Sequence, residues 1–213
     1  MNASGNSCTA LELLVDERRR MLGEDDPETL TAMLELADCL WAQGRLIAAQ
    51  KLEEHVGEGR RRQLGERHAD TLKAIGKLAV TLGAQGNLAE ARRLQEEVIA
   101  GRRALFGDAD VETLRAINNL AGTVAAQGDL AEARELLEAV LATTWREFGE
   151  QHPDSLTAMS NLAAILWQGG DMDEAYALQQ RVVEIQRRLH GENDDATRAA
   201  LAALESMERD LAF

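Results

Sequence analysis

The sequence predicts an all-α solenoid of stacked antiparallel helix hairpins, with about ten helices, and three recurring features lead to that fold class. Glycines return every 42 residues, a second glycine series keeps the same period, and a Leu-Ala pair lies between the two series. Self-similarity at a fixed period of this length is typical of repeat architectures. The three series are Gly23, Gly65, Gly107, Gly149 and Gly191; Gly44, Gly86, Gly128 and Gly170; and the pairs that begin at Leu36, Leu78, Leu120 and Leu162.

Each period is predicted to hold two helices, and the first repeat shows why. Its first helix is expected from about residue 26 to 43 and its second from about 46 to 64, because apolar residues recur there at helical spacing. Asp26 suits the N-cap and Pro27 the first helical position. Gly44 then ends the first helix as a C-terminal glycine does. The same capping devices return in the later repeats.

The repeats are expected to form a single solenoid domain over residues 1–213. One repeat cannot bury its apolar face alone, so the stack is expected to behave as one cooperative unit. The expected segments are a flexible start (1–9), an N-terminal half-repeat (10–22), four full repeats (23–64, 65–106, 107–148 and 149–190) and a C-terminal capping helix (191–213).

Composition narrows the possible partners. The chain has 213 residues, 45% of them hydrophobic, and a formal net charge of -14. Acidity of this degree argues against nucleic acid and anionic membranes, which bind basic surfaces. It favours a basic or mixed-charge protein partner, although acidity also serves solubility. The chain has no apolar stretch long enough to cross a bilayer and no secretory signal in its first residues, so the sequence predicts a cytoplasmic protein.

The sequence predicts that the two cysteines are free. Cys8 lies in the polar start of the chain, whereas Cys39 lies inside a helical pattern. Thiols in such different contexts do not indicate a disulfide framework, and this interpretation favours a reducing compartment.

No catalytic constellation is recognisable. The four histidines are scattered, and His68 and His152 occupy the same capping position in different repeats. The sequence has no paired-histidine metal motif, no glycine-rich phosphate loop and no nucleophile elbow. We therefore expect neither an enzyme nor a bound metal or cofactor.

The repeats resemble the 42-residue tetratricopeptide repeats of kinesin light chains, over about residues 10 to 211. The third repeat carries the pattern most fully, and the fourth keeps much of it. The matching segments are Glu112-Thr113-Leu114, Asn118-Asn119-Leu120-Ala121, Gln127-Gly128, Glu132-Ala133, Val140-Leu141 and Phe148-Gly149, then His152-Pro153-Asp154-Ser155-Leu156, Asn161-Leu162-Ala163 and Glu174-Ala175.

The resemblance implies a right-handed superhelix whose first helices line a concave groove for a peptide or a partner helix. Asn119 and Asn161 match groove asparagines that hydrogen-bond the backbone of a bound peptide, and an amide offers both a donor and an acceptor for this. Glu35 and Lys77 stand at the equivalent positions of repeats one and two, so the asparagine series is incomplete. The expected groove residues are Glu35, Asp38, Trp41, Lys73, Lys77, Arg115, Asn118, Asn119, Ser160, Asn161, Trp167 and Gln168.

The same register bears on the kind of partner. The carboxylate clamp of chaperone-binding tetratricopeptide proteins needs an asparagine at positions that hold Asp38, Val80, Gly122 and Ala164 in this sequence. A partner that docks by its C-terminal carboxylate is therefore disfavoured.

The expected groove centre is small and apolar, with Trp41 and Trp167 towards its ends. Either this is a trough that admits a partner chain closely, with the tryptophans as anchors, or the small residues only tighten the superhelix and the tryptophans are ordinary packing. Lys73, Lys77 and Arg115 form a basic patch that pairs either with acidic groups of a partner or with Glu35 and Asp38 next to it. The small residues are Gly76, Val80, Gly83, Ala84, Gly122, Ala125 and Ala126.

Three functions fit these features. The leading hypothesis is a scaffold or adaptor that binds a peptide or helix of a partner protein in the groove. The second is a regulatory or substrate-presenting accessory subunit of an enzyme. The third is a self-assembling structural protein, a homo-oligomer joined through its terminal half-repeats.

Overall fold

The computed structural model describes residues 3–211, and these form ten α-helices with no strand among them. The predicted all-α class and helix count are confirmed. The helices are α1 (Ala3–Leu22), α2 (Pro27–Ala42), α3 (Leu46–Leu64), α4 (Ala69–Ala84), α5 (Leu88–Phe106), α6 (Val111–Ala126), α7 (Leu130–Phe148), α8 (Pro153–Gly169), α9 (Met172–His190) and α10 (Asp195–Leu211).

The helix starts follow from the capping residues. The backbone N–H of Glu28 donates to the Asp26 carboxylate at 2.8 Å, and the N–H of Thr113 donates to Asp110 at 2.8 Å. His68 and His152 also cap their helices, because the Nδ1 atom of each accepts a hydrogen bond from a backbone N–H at 3.2 Å. Each side chain satisfies an amide that the first helical turn leaves unpaired. The repeated histidines are therefore structural caps.

The helix ends depend on glycine. Gly65, Gly107 and Gly149 follow the second helices of their repeats with φ of 88°, 86° and 87°. A side chain is strained at such φ values, and glycine is not. Among the described residues no other residue type has a positive φ. The 42-residue glycine series therefore marks the chain reversals.

Contacts divide the chain into two compact units, with the boundary after Gly107. Unit 1 holds α1 to α5 and unit 2 holds α6 to α10. Each has an apolar core, in which Leu30 and Met33 of unit 1 and Met159 and Val182 of unit 2 are at most 2% exposed. The single cooperative domain stays a prediction.

The start of the chain differs from expectation. Helix α1 begins at Ala3, ahead of the half-repeat start expected at residue 10, so most of the segment 1–9 is helical. Residues 1, 2, 212 and 213 lie outside the described part of the chain.

The prediction of free cysteines was wrong, because Cys8 and Cys39 form a disulfide with their Cα atoms 5.6 Å apart. The earlier helix start places Cys8 on the side of α1 that packs against α2, where it is 3% exposed. The argument for a reducing compartment, which rested on free thiols, no longer holds.

None of the described helices combines the length and the hydrophobicity that crossing a bilayer requires.

Candidate partner-binding surface on the first helices

The surface of interest is the exposed side of the first helices, named here the first-helix face. In unit 1 it belongs to α2 and α4, and in unit 2 to α6 and α8. The groove residues expected from the sequence divide between these two parts.

The α2 part of the face carries two acids and an aromatic ring. Glu35, Asp38 and Trp41 follow one another at intervals of three residues, which places neighbours on one side of the helix. All three are exposed, and the Trp41 side chain is 43% exposed. A large aromatic side chain that remains this accessible is a candidate anchor for a partner.

Helix α4 contributes the lysines. The Lys77 Nζ donates to Asp38 Oδ1 and joins α4 to α2. Lys73 is exposed and has no ion pair among the described residues. The basic patch was expected to pair either with acidic groups of a partner or with Glu35 and Asp38. For Lys77 the second alternative is observed.

Unit 1 also contains a buried acid that was not among the residues expected from the sequence. Glu53 of α3 is only 2% exposed, and its Oε2 atom has no hydrogen-bond partner among the described residues. Burial raises the pKa of Glu53, while the neighbouring Thr81 hydroxyl and the Lys77 ammonium oppose the rise. The charge of Asp38 adds to the rise. The Glu53 carboxyl is therefore within electrostatic range of both Asp38 and Lys77.

Comparison of the repeats could have identified Glu53. The positions 42 residues apart from it hold Gln95, Leu137 and Gln179, all buried and all uncharged. Gln179 donates to the Ala200 carbonyl of the following helix at 2.8 Å, so the amide finds a partner where it is buried. A charged residue at a core position of one repeat was the available signal.

In unit 2 the expected asparagines differ in exposure and in whether their side chains form hydrogen bonds with each other. The Asn161 Nδ2 donates to Asn118 Oδ1 at 3.0 Å, which joins α8 to α6, and both side chains are half-buried. Asn119 is exposed. One hydrogen-bonding atom of Asn118 and one of Asn161 are therefore already bonded within the fold. The Asn119 amide, in contrast, is exposed to solvent.

Arg115 does not supply a free positive charge. Its Nε donates to Asp154 Oδ1 at 2.7 Å and a terminal nitrogen donates to Glu112 Oε1 at 2.8 Å. The hydrogen bond to Asp154 is the main cause that raises the pKa of the Arg115 guanidinium. Unit 2 therefore satisfies Arg115 with its own acids, as unit 1 does for Lys77.

The small residues leave space on the face. A Cβ added at Gly76 would make ordinary contact with Val98 at 3.8 Å, whereas one added at Gly122 would have no neighbour within 4 Å. Gly122 is exposed and lies one turn after Asn119 on α6. Helix packing in the described structure therefore gives no reason for glycine at position 122.

The remaining expected groove residues differ in solvent exposure. Ser160 and Trp167 are half-buried on α8, and Gln168 is exposed near its end. Trp145 of α7 is 42% exposed and was not among the groove residues expected from the sequence, which lie on first helices.

The described residues contain no group of three histidine, cysteine or acidic side chains placed to hold a metal ion.

Comparisons with known proteins give a consistent family. The tetratricopeptide repeat model matches residues 28–104, 70–144, 112–175 and 154–211. No curated protein matches the chain in sequence.

Solved structures resemble the chain over most of its length. Two crystal structures from Podosopora anserina, described as a kinesin light chain with nearly identical TPR-like repeats, are among them. One is 29% identical, covers 87% of each chain and has a TM-score of 0.75. The other is 28% identical, covers 88% of this chain and 89% of that one, and has a TM-score of 0.72.

A third structure shows the fold alone. BtubC (BKLC) from P. vanneervenii has a TM-score of 0.78 at 19% identity, and the match covers 100% of this chain and 85% of that one.

Proposed function

Because the chain belongs to the tetratricopeptide repeat family, we propose that it is a protein-interaction scaffold that binds a peptide or helix of a partner on its first-helix face. Repeat folds of this kind host many functions, so the proposal depends on the residues of that face. It includes no catalysis and no cofactor, and it includes no nucleic acid because a net charge of -14 opposes binding to a phosphate backbone.

The observation that carries the proposal is the pair Asn119 and Gly122 on α6. Asn119 is exposed, and the space above Gly122 is open. An amide both donates to and accepts from a peptide unit, and a position without Cβ lets another backbone approach closely. A glycine inside a helix costs about 1 kcal/mol relative to alanine, which an exposed position would otherwise avoid. A partner backbone that packs closely over position 122 would explain why this exposed helical position is a glycine.

The test is capture of a co-purified partner by variants of the full chain. The partner is first identified by mass spectrometry of proteins that co-purify with the wild type. Asn119→Ala is expected to weaken its binding by about tenfold, the effect of losing one or two hydrogen bonds in a partly buried contact. Glu135→Ala, at an exposed position of α7, is the matched control and should bind as the wild type does.

Unchanged binding by Asn119→Ala, measured by titration calorimetry with the identified partner, would contradict binding at this face. Far-UV circular dichroism of both variants establishes that the fold is intact.

A further inference from the structure

Helix α1 has a side that no helix covers among the described residues. In the full repeats of unit 1, the second helix packs against its own first helix at a glycine. A Cβ added at Gly59 of α3 would lie 3.0 Å from Leu30 of α2. One added at Gly101 of α5 would lie 2.8 Å from Leu72 of α4. Helix α1 is in the register of a second helix, and no first helix precedes it in the described part of the chain, so the corresponding side of α1 is open.

This open side carries apolar residues at helical spacing. Ala10, Leu13, Glu17 and Met21 are exposed and follow one another at intervals of three or four residues, which places them along one side of the helix. Leu13 is 66% exposed and Met21 is 75% exposed. Val15, which is 2% exposed, lies on the opposite side, where α1 packs against α2. The four exposed residues are named here the α1 outer side.

We propose that the α1 outer side is the surface through which two copies of this chain associate, with their α1 helices antiparallel about a two-fold axis. A two-fold interface uses the same patch of both copies, so α1 supplies both halves. With the axis near residue 17, Leu13 of each copy lies against Met21 of the other. The inference concerns association of the chain with itself and goes beyond partner binding at the first-helix face.

The charges on α1 favour a second copy over a first helix from another protein. Glu17 stands 42 residues before Gly59, the position where a first helix brings a leucine close. A leucine over Glu17 would take a carboxylate out of water without a counter-charge, which is unfavourable. A second α1 brings an arginine to the same place instead.

Glu17 and Arg20 are available for such pairing. Glu17 has no ion pair or hydrogen bond among the described residues, and the only bond of the Arg20 side chain there is from its Nε to the Asp16 backbone carbonyl. In the antiparallel pair each Glu17 lies within one helical turn of Arg20 of the other copy. Two charge-assisted pairs therefore form, one on each side of the axis.

The acidity of the chain does not prevent this association. Helix α1 is itself neutral, with three acids and three arginines, whereas the whole chain has a net charge of -14. At physiological salt, exposed charges further apart than about 8 Å are largely screened. The contacts between two neutral helices therefore outweigh the repulsion between distant parts of the two copies.

The last helix does not offer a comparable surface. Arg198 and Glu205 of α10 are exposed at the positions where α8 buries Leu156 and Ala163. Charged residues at these positions suit contact with solvent. Of the two terminal half-repeats, α1 is the one that joins copies.

The experiment is sedimentation equilibrium of the full chain from about 1 μM to about 1 mM. We expect a monomer–dimer equilibrium with a Kd on the order of 100 μM. A 20-residue helix is about 30 Å long, so a single helix pair belongs to the small, transient class of interfaces.

A matched pair of variants locates the interface. Leu13→Glu places a charge in the centre of the α1 outer side and is expected to abolish the dimer over the same concentration range. Met172→Glu makes an equivalent change at a residue of α9 that is 43% exposed, and it should dimerise as the wild type does. Both positions are exposed, and far-UV circular dichroism establishes that both variants are folded.

A charge exchange tests the antiparallel arrangement. Glu17→Arg and Arg20→Glu are each expected to weaken the dimer by about fivefold, the upper end for exposed ion pairs. The two changes combined in one chain restore opposite charges across the axis, so the double variant should dimerise about as well as the wild type.

A chain that stays monomeric at the highest concentration would overturn the inference, as would a dimer that Leu13→Glu retains or that Met172→Glu also loses. A double variant no better than the single ones would reject the antiparallel pairing. Asn119→Ala leaves α1 unchanged and should dimerise normally, so this inference and the proposed function fail or hold separately.

Discussion

At the scale of single residues, the positions that break the repeat pattern are the informative ones. Glu53 is a charged residue at a position where the other three full repeats bury glutamine or leucine. Gly122 is a glycine on an exposed helical surface with open space above it. Packing explains neither residue.

The first prediction concerns the pH dependence of Glu53→Gln. Burial raises the pKa of Glu53 above its ordinary 4.5 in the folded chain, with Asp38 and Glu54 adding to the rise and Thr81 and Lys77 opposing it. The folded chain therefore holds this proton more tightly than the unfolded chain, and the free energy of unfolding falls as pH rises through the raised pKa. Glu53→Gln is expected to be more stable than the wild type at pH 7.

That advantage should shrink as pH falls and disappear below about 4.5, where Glu53 is protonated in both states. Urea unfolding at a series of pH values measures it, with Glu58→Gln as the control. A stability difference that stays constant over the whole pH range would rule out the buried-carboxylate explanation.

At the scale of elements, two helices pack closely where one of them has a glycine in the contact. Within unit 1 a Cβ added at Gly101 of α5 would lie 2.8 Å from both δ-methyl groups of Leu72 on α4. Leu72 is 2% exposed, so its side chain has little space to move. Gly101 therefore serves helix packing, in contrast to Gly122.

The second prediction compares these two glycines. Gly101→Ala is expected to destabilise the protein by about 1–3 kcal/mol, since the extra methyl group overfills a packed contact. Gly122→Ala is expected to stabilise it by up to about 1 kcal/mol, because only helix propensity changes. Chemical unfolding of both variants decides, and destabilisation by Gly122→Ala would show that position 122 is packed after all.

The third prediction concerns the link between α1 and α2. The disulfide Cys8–Cys39 closes a loop across a sequence separation of 31 residues. Its loss through Cys8→Ala with Cys39→Ala is expected to cost about 2–4 kcal/mol, mainly because the unfolded chain gains freedom. Unfolding in the presence and absence of a dithiol reductant measures the effect in the wild type, and the double variant should not respond to the reductant.

Thiol titration of the denatured, unreduced protein checks the premise. Two reactive thiols per chain would mean that the disulfide does not form.

At the scale of the whole molecule, two quantities matter: the charge and the cooperativity of folding. The net charge of -14 is the basis for expecting a basic or mixed-charge protein partner and no nucleic acid. The contacts form two compact units, although the 42-residue register continues without an insertion through the boundary after Gly107. Repeat stacks gain stability from each neighbouring repeat, which is the basis for expecting one transition.

The fourth prediction is that the chain unfolds in urea as one cooperative transition. Trp41 reports on unit 1, and Trp145 and Trp167 report on unit 2. A Trp41→Phe variant and a Trp145→Phe with Trp167→Phe variant therefore observe the units separately by fluorescence. Coincident midpoints, after correction for each variant's stability by circular dichroism, are expected. Two distinct midpoints would establish that the units unfold independently.

Local chemistry was sufficient to predict much of the fold from the residue order. Glycines at the chain reversals and capping residues such as Asp26 and Asp110 act through the backbone within a few residues of themselves. The α3 bounds agree with the prediction, and α2 begins one residue after its predicted N-cap and ends one residue before Gln43. Such signals repeat every 42 residues, so chance agreement is excluded.

The candidate surface could be predicted only in outline. Register placed Asn119, Trp41 and Asp38 on exposed positions of the first helices, because helical spacing determines which residues share a side. It did not reveal that Asn161 bonds to Asn118 or that Lys77 bonds to Asp38.

The 42-residue period of glycines thus establishes the helix hairpins from sequence alone, since each turn and cap is a local interaction. The Cys8–Cys39 disulfide, the pairing of Lys77 and the burial of Glu53 required the packed structure. Those contacts join side chains on different helices, and their distances depend on how closely and in what register neighbouring helices pack. Periodicity identifies which side of a helix faces its neighbour, but packing alone decides which two side chains meet.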